Sequence, residues 1–318
     1  MVNHVDFAII TALEVERDAI LDKFGPYEEI RDENIDNWTY YKINYKIPND
    51  NTNIIYKIVI VMLPDMGNTA SGLVSSDLIR KFNPKYIIMF GIAGGIKENK
   101  VQKSDVVIAT KIVYYELGKV KRIKIIPRSD DSIPADALLL DRIKAFKNEE
   151  WKREIGVECP NNEKIGITPN VHIGPIACGE KVIKSNTFRR SLISIWYKLI
   201  AVEMESWGVS QAAWYNKNRP RFIAIRGICD DANPKKNDIW RRRAAYTAAT
   251  YLKAFLSDCP VNPVNNFDQE KYLQEILRKN EQIDNPLEKN VALLNINEIV
   301  QIELGDENQK DESKMNTV

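Results

Sequence analysis

Four short segments of this 318-residue chain bring acids, glycines and an arginine together in spacings that could serve chemistry. The first is Ile9-Ile10-Thr11-Ala12-Leu13-Glu14-Val15-Glu16-Arg17, where an apolar run ends and acids follow. Carboxylates in a first helical turn are stabilised by the helix dipole, so a helix start capped by Thr11 explains the pattern as well as a site does. The second, Met89-Phe90-Gly91-Ile92-Ala93-Gly94-Gly95-Ile96, leads an apolar strand into a turn of small residues, where backbone N–H groups could approach a ligand closely. It is neither GxGxxG nor GxxxxGK[ST], so it gives no support to dinucleotide or P-loop chemistry. The third, Val202-Glu203-Met204-Glu205-Ser206-Trp207-Gly208, sets two acids in an apolar stretch. A buried charge without a partner is costly, so Glu203 and Glu205 must meet either ligand hydroxyls or a protein base. The fourth, Ile225-Arg226-Gly227-Ile228-Cys229-Asp230-Asp231-Ala232-Asn233, ends a strand on Asp230. There an aspartate could serve as an acid, or simply build a turn.

Together the four suit the breaking of an N-glycosidic bond. The departing sugar carbon takes on oxocarbenium character. The reaction needs an acid for the leaving base, a carboxylate to prepare water, and an anchor for the sugar hydroxyls, which is the logic of carboxylate pairs in sugar hydrolysis.

Such residues must be delivered by regular elements. Short Ile-, Val- and Phe-rich runs predict strands at 7–10, 54–63, 86–90, 105–113, 171–177, 199–203 and 222–228. Helical spacing is read at 14–23, 68–82, 135–146, 205–215 and 242–256. Alternating strands and helices predict an α/β fold, and each of the four segments falls where such a sheet presents its loops, at the carboxyl ends of strands. Residues 151–166 read as a long connection. The domain is expected to span 1–260, followed by a helical and apolar extension over 261–304, with an amphipathic helix at 267–283, and by a polar, disordered tail over 305–318.

Composition narrows the remaining classes. No apolar run approaches the ~20 residues that span a bilayer, and the start at Met1 lacks the pattern of a secretory leader. Cys159, Cys178, Cys229 and Cys259 are widely spaced, which suggests neither a metal site nor a disulfide framework and fits a reducing cytoplasm. Residues 262–318 carry six basic and twelve acidic side chains, leaving a modestly basic body. That bias suits a small anionic substrate and is too weak for nucleic acid.

The order Ala-Leu-Glu-x-Glu, Gly-x-Ala-Gly-Gly, Val-Glu-Met-Glu and Arg-x-Ile-x-Asp-x-Ala resembles the methylthioadenosine and adenosylhomocysteine nucleosidases of the nucleoside phosphorylase superfamily, over residues 5–258. The closing stretch, with Lys236-Asn237-Asp238-Ile239-Trp240 and Ala244-Ala245-Tyr246-Thr247, is similar to nucleosidase domains of fungal immune receptors and bacterial antiphage systems, some of which remove adenine from ATP. The resemblance implies a three-layer fold with a central mixed, twisted sheet between helices. It implies that Glu16 activates water, Asp230 protonates the purine at N7, Glu205 grips the ribose hydroxyls and Met204 packs beside the sugar. It also implies that Ile92, Ala93 and Gly94 line the sugar and base site and that Val182 and Ile183 contact adenine. Glu203 and Arg226, from the same motifs, complete the expected substrate-binding set. Ile92 and Val182 depart from the hydroxyl residue and the phenylalanine of the small-molecule nucleosidases, which points away from methylthioadenosine.

Leu13-Glu14-Val15-Glu16 stands where phosphorylases of the superfamily carry an arginine-bearing phosphate loop. A carboxylate there repels phosphate and favours water, so hydrolysis is expected. Lys119, Lys121, Arg122, Lys181, Lys184, Arg189 and Arg190 are candidate partners for substrate phosphates, and His172 is read as structural. No metal ligand set is visible, so magnesium would come only as a nucleotide counter-ion. A homo-oligomer, dimeric or higher, is the form the resemblance implies, and the C-terminal extension could bind a regulatory partner. A housekeeping nucleosidase, a phosphorylase and a nucleotide sensor without turnover are the alternatives.

Overall fold

Ile, Val and Phe in short runs, bounded by polar residues, glycine or proline, build the strands of the protein. The computed structural model describes residues 4–31, 37–48, 54–121, 124–128, 132–162, 168–234 and 237–264. In chain order its elements are β1 (Phe7–Thr11), α1 (Glu14–Phe24), β2 (Glu28–Ile30), β3 (Tyr40–Lys46), β4 (Ile55–Met62), α2 (Asn68–Phe82), β5 (Tyr86–Gly95), β6 (Val106–Tyr114), β7 (Gly118–Lys121), β8 (Lys124–Pro127), β9 (Ser132–Pro134), α3 (Ala137–Ala145), β10 (Val171–Cys178), α4 (Asn186–Ile195), β11 (Ala201–Glu203), α5 (Ser206–Tyr215), β12 (Arg221–Asp230) and α6 (Arg241–Ser257).

The main sheet has the order β11-β10-β6-β12-β5-β1-β4-β3-β2, with β9 on β6. Strands β4, β1, β5 and β12 run parallel, and β6 runs antiparallel to β12. Strand β11 lies parallel to β10 and also antiparallel to β5, so five strands close on themselves. Both faces of the central strands are covered, which is why these strands read as continuous apolar runs. Phe7 and Ile9 join the cluster under α1, α3 and α6, while Ala8 and Ile10 join the one under α2 and α5. Ile58 and Ile60 separate from Val59 and Val61 in the same way. This is the mixed sheet between helical layers that the sequence predicts.

Local signals set the helix ends. Asp136 accepts from Leu139 N (2.9 Å) to start α3, and Ser185 accepts from Phe188 N (3.2 Å) to start α4. Helix α2 ends on Asn83 in the left-handed conformation, followed by Pro84. At Gly208 any Cβ would overlap the Asn68 carbonyl, so α2 and α5 approach as closely as backbone allows. After α6 the chain turns back along β1 and β4, where Tyr56 Oη donates to Val261 O and Val264 N donates to Asp6 Oδ1. The compact unit runs to Val264, four residues past the expected boundary. The helix expected at 267–283, the rest of the extension from 265 to 304 and the tail 305–318 lie outside the described residues.

Two local expectations are corrected. Helix α1 is capped at Leu13 rather than Thr11, because Glu16 itself accepts the Leu13 N–H. Residues 91–95 are strand, not turn: Gly94 and Gly95 pair with Val202 and Ala201 of β11, which prolongs β5. The second acidic segment enters from the carboxyl end of β11, as expected, and β11 runs opposite to β5. Strand β3 and helix α4 escaped the sequence reading, for β3 mixes Lys and Asn with Tyr, and α4 is rich in polar residues.

Candidate active site

Four sequence segments meet where β5, β11 and β12 join. The carboxyl end of β1 leads into α1, whose third residue is Glu16, buried at 1% exposure. Its Oε2 accepts from Ala12 N (2.7 Å) and Leu13 N (3.0 Å), and its Oε1 accepts from Ile92 N (2.8 Å). That last contact requires Gly91, since a Cβ there would sit 2.5 Å from both Glu16 Oε1 and Arg226 Nη1. Gly91 therefore lets a carboxylate and a guanidinium lie flat on the backbone of β5.

Arg226 on β12 is fully buried and organises the acids. Its Nη2 donates to Glu203 Oε2, to Glu205 Oε2 (3.3 Å) and to Ser206 Oγ (3.3 Å). Glu203 Oε2 also accepts from Glu205 N (3.0 Å) and Ser206 N (2.9 Å), which fixes the start of α5. Arg226 Nη1 and Nε and Glu203 Oε1 are buried atoms with no hydrogen-bond partner within the protein. Such groups are costly to bury unless something else satisfies them.

The electrostatics follow from burial. Burial pushes the Glu16 carboxyl above its ordinary value, opposed by Arg226 and by the three backbone N–H groups. Burial pushes Glu205 up to about 8, with Arg226 pulling down and Glu203 and Glu16 pushing further up. Burial would lower Arg226, yet Glu203, Glu205 and Glu16 raise it overall, so the guanidinium stays charged. Burial and the neighbouring carboxyls thus favour the protonated form of Glu205, against the pull of Arg226.

Asp230 ends β12 beyond an irregularity in its pairing with β5. It is 3% exposed; its Oδ1 accepts from Ala232 N (2.7 Å), and Cys229 Sγ donates to its Oδ2 (3.2 Å). Ala232 adopts the left-handed backbone, φ 46°, a strained conformation for a residue with a Cβ, and strain of that kind gathers at sites.

A cleft joins these groups. Glu16, Glu203, Met204, Glu205 and Asp230 line it, with Ile92, Ala93 and Gly94 on one side and Val182 and Ile183 on another. Every expected site residue except Arg226 reaches the cleft wall, and Arg226 lies beneath it. An acid, a carboxylate able to take a proton and two further carboxyls thus face one space. Such a site can protonate a leaving group and deprotonate a water while holding hydroxyls.

Of the candidate phosphate partners in the described residues, Lys181 lines the cleft and pairs with Glu116. Lys119, Lys184 and Arg190 are exposed away from it, and Arg122 lies outside the described residues, as does the Lys121 side chain. Arg189 is corrected: at 1% exposure it pairs with Glu98 and is closed to a substrate. His172 donates or accepts at Asp105 (2.9 Å) as a structural residue, as expected. The sequence reading missed Met66 and Arg241 on the cleft wall. The Arg241-Arg242-Arg243 run opening α6 marks a basic stretch without telling which of its side chains faces the cleft. All four cysteines are free. Among the described residues no His, Cys, Asp and Glu group is arranged for a metal ion, and no helix is long and apolar enough to cross a membrane.

Comparison with known proteins places this geometry. The profile described as Phosphorylase superfamily matches residues 6–257. The ATP nucleosidase Cap17 of Escherichia coli is 26% identical over 209 residues, covering 62% of this chain and 41% of that protein. This chain thus spans less than half of that relative's length. A 5'-methylthioadenosine/S-adenosylhomocysteine nucleosidase of Maridesulfovibrio salexigens is 25% identical over 254 residues, covering 78% of this chain and 96% of that protein. Among solved structures, the 5'-methylthioadenosine/S-adenosylhomocysteine nucleosidase of Neisseria meningitidis in complex with methylthio-immucillin-A superposes with a TM-score of 0.61 at 18% identity, over 80% of this chain and 99% of that one. The chain belongs to the Phosphorylase superfamily.

Proposed function

We propose that this protein hydrolyses the N-glycosidic bond of a purine nucleotide, adenine-type and ATP among the candidates, to free base and ribose phosphate. The observation that carries the reading is the placement of Glu16 and Asp230 on one cleft with Glu203 and Glu205 between the same walls. In this reading Glu16, ionised, takes a proton from water as the water oxygen bonds to the anomeric carbon. The C–N bond electron pair passes to the purine, and Asp230 delivers its proton to N7 of the departing base. Glu205 holds the ribose hydroxyls, Met204 packs beside the sugar, and Val182 and Ile183 lie along the base. Each proton transfer is worth roughly 10²–10⁴ in rate, with charge stabilisation of the cation by the buried carboxyls adding to it.

Glu16 in the place of a phosphate ligand supports water as the acceptor. Lys181 and Arg241 on the cleft wall, and the likeness to an ATP nucleosidase, support a phosphorylated substrate. Removal of base from a nucleotide drains that pool, so a defence effector is the matching role, acting in the cytoplasm as a homo-oligomer with a regulatory partner on residues beyond 264. Leu73 on α2 and Trp214 and Tyr215 on α5 are exposed apolar side chains that support self-association, which sedimentation velocity reads directly.

The deciding experiment incubates the purified protein with adenosine, AMP, ATP and methylthioadenosine, with and without phosphate, and follows free adenine. Phosphate-independent adenine from AMP or ATP is expected. Adenine from methylthioadenosine alone would reassign the protein to housekeeping metabolism. A strict phosphate requirement would make it a phosphorylase, and no base from any substrate would overturn the reading.

A further inference from the structure

Among the described residues Arg189 is, after Arg226, the most deeply buried cation, and the reaction above gives it no part. It lies in the first turn of α4 at 1% exposure. Its Nη2 pairs with Glu98 Oε1 (2.8 Å), just after β5, and its Nη1 donates to the backbone oxygen of Asp231. Its Nε is buried with no hydrogen-bond partner within the protein. A buried ion pair with an unsatisfied donor is weak as a stabilising device, because desolvation offsets most of its attraction.

The atom it holds explains its place. The oxygen of Asp231 and the N–H of Ala232 belong to one planar peptide unit. That same N–H donates to Asp230 Oδ1 (2.7 Å). The guanidinium grips one end of a rigid plate whose other end grips the acid. A charged donor on the carbonyl also polarises the peptide and strengthens the hydrogen bond that its N–H makes. Ala232, held at φ 46°, needs such an external restraint, since that backbone is disfavoured for a residue with a Cβ. The segment before α4 carries Val182 and Ile183 on the cleft wall, so Arg189 ties the wall assigned to the base to the loop of the acid.

We propose that Arg189 is a positioning residue, which sets the orientation of Asp230 through the Asp231–Ala232 peptide; this rests on the assignment of Asp230 as the acid. Arg189 touches no substrate, so its loss acts on turnover and not on binding.

The test compares wild type, Arg189→Met, Arg189→Lys and Glu98→Gln. Two readouts are taken: steady-state base release, and amide hydrogen exchange at Ala232 in the unliganded full chain. Arg189→Met should lower kcat by about tenfold or more with KM within about twofold. It should speed exchange at Ala232 by about tenfold while the amides of β5 and β12 keep their protection. Arg189→Lys should recover part of both losses, and Glu98→Gln, which keeps the cation but frees it, should give a smaller loss of the same kind. Unchanged exchange at Ala232, a kcat near wild type, or an equal loss of protection across the domain would each overturn the proposal. Wild type in the same assay judges the glycosidase reading separately. If wild type releases no base, that reading falls, and exchange at Ala232 alone decides the contact.

Discussion

Glu205→Gln tests the electrostatic account of the site without requiring any knowledge of the substrate. Glu205 is 5% exposed and shares Arg226 with Glu203 and Glu16. Burial first, then the two neighbouring carboxyls, push it from an ordinary 4.5 to about 8. In the unfolded chain it titrates at its ordinary value. Between these two values the folded protein therefore holds a proton that the unfolded chain has lost. Stability is fully present below about 4.5 and falls as pH rises through about 8. Each unit of displacement corresponds to about 1.4 kcal/mol, so the window amounts to a few kcal/mol, shared by the cluster as a whole. A change of 1 kcal/mol moves the Tm of a domain this size by about 2–4 °C. The unliganded wild type should thus lose several degrees of Tm between about pH 5 and about pH 8.5. Glutamine keeps the shape and has no proton to lose, so the variant should show a shallower slope and exceed wild type at the alkaline end. The slope that remains belongs in part to Glu16, which burial also raises. Thermal melts of both proteins across that range measure the difference. Parallel curves would refute the reasoning, since they would mean that Glu205 titrates alike in the folded and unfolded chains.

Four further outcomes are expected. Asp230→Asn and Glu16→Gln should each cut turnover by roughly 10²–10⁴ with the fold retained; a variant keeping more than a tenth of wild-type base release would remove that residue from its role. Because burial raises the Glu16 carboxyl, the acid side of the kcat profile should fall off above the ordinary carboxylate range, as protonation removes the base. Gly91→Ala places a Cβ 2.5 Å from Glu16 Oε1 and Arg226 Nη1, and it should lower kcat by about 10²-fold with a reduced Tm, read by melts and base release together. Arg226→Met should cost about 3–5 kcal/mol in denaturant unfolding, since three buried carboxyls lose their cation.

Most of the central sheet was legible because both of its faces are buried. The stretches 7–10 of β1, 58–62 of β4 and 222–225 of β12 are continuously apolar, and composition marks them plainly. Strand β3 was not legible: it lies toward the edge of the sheet, where only Tyr40, Ile43 and Tyr45 are buried and Lys and Asn intervene. Helix α4 was missed because just Arg189 and Leu192 of its ten residues are buried, and an arginine is not read as a core residue. The cleft acids were legible as acids out of place in apolar runs. Arg241 and Met66 were not, because nothing in an arginine run or an Asp65-Met66-Gly67 turn reports which side chain faces a cleft formed by distant strands. The prolongation of β5 through Gly91–Gly95 depends on β12, which pairs with it as far as Gly94, and on β11, which pairs with Gly94 and Gly95; both lie more than 100 residues away in the chain, so it was beyond any local reading.

Glu16 shows why a helix cap and a site were never true alternatives. A carboxylate offers about four lone-pair sites. Ala12 and Leu13 N–H take those of Oε2, and Ile92 N–H takes one on Oε1. One acceptor site remains, on the oxygen beside β5, and that is the site a water would need. The three donors favour the ionised form and partly offset burial, so the cap keeps the group basic while it aims it. Glu16→Asp separates this account from one in which any nearby carboxylate suffices. The aspartate is one carbon shorter and still able to cap the helix at Leu13, but it cannot also reach Ile92 N. Its Tm should stay near that of wild type while kcat falls by about 10²-fold or more. If Glu16→Asp released base at more than a tenth of the wild-type rate, the bridge from the α1 cap to β5 would have no part in aiming the base, and capping alone would explain why the acid stands there.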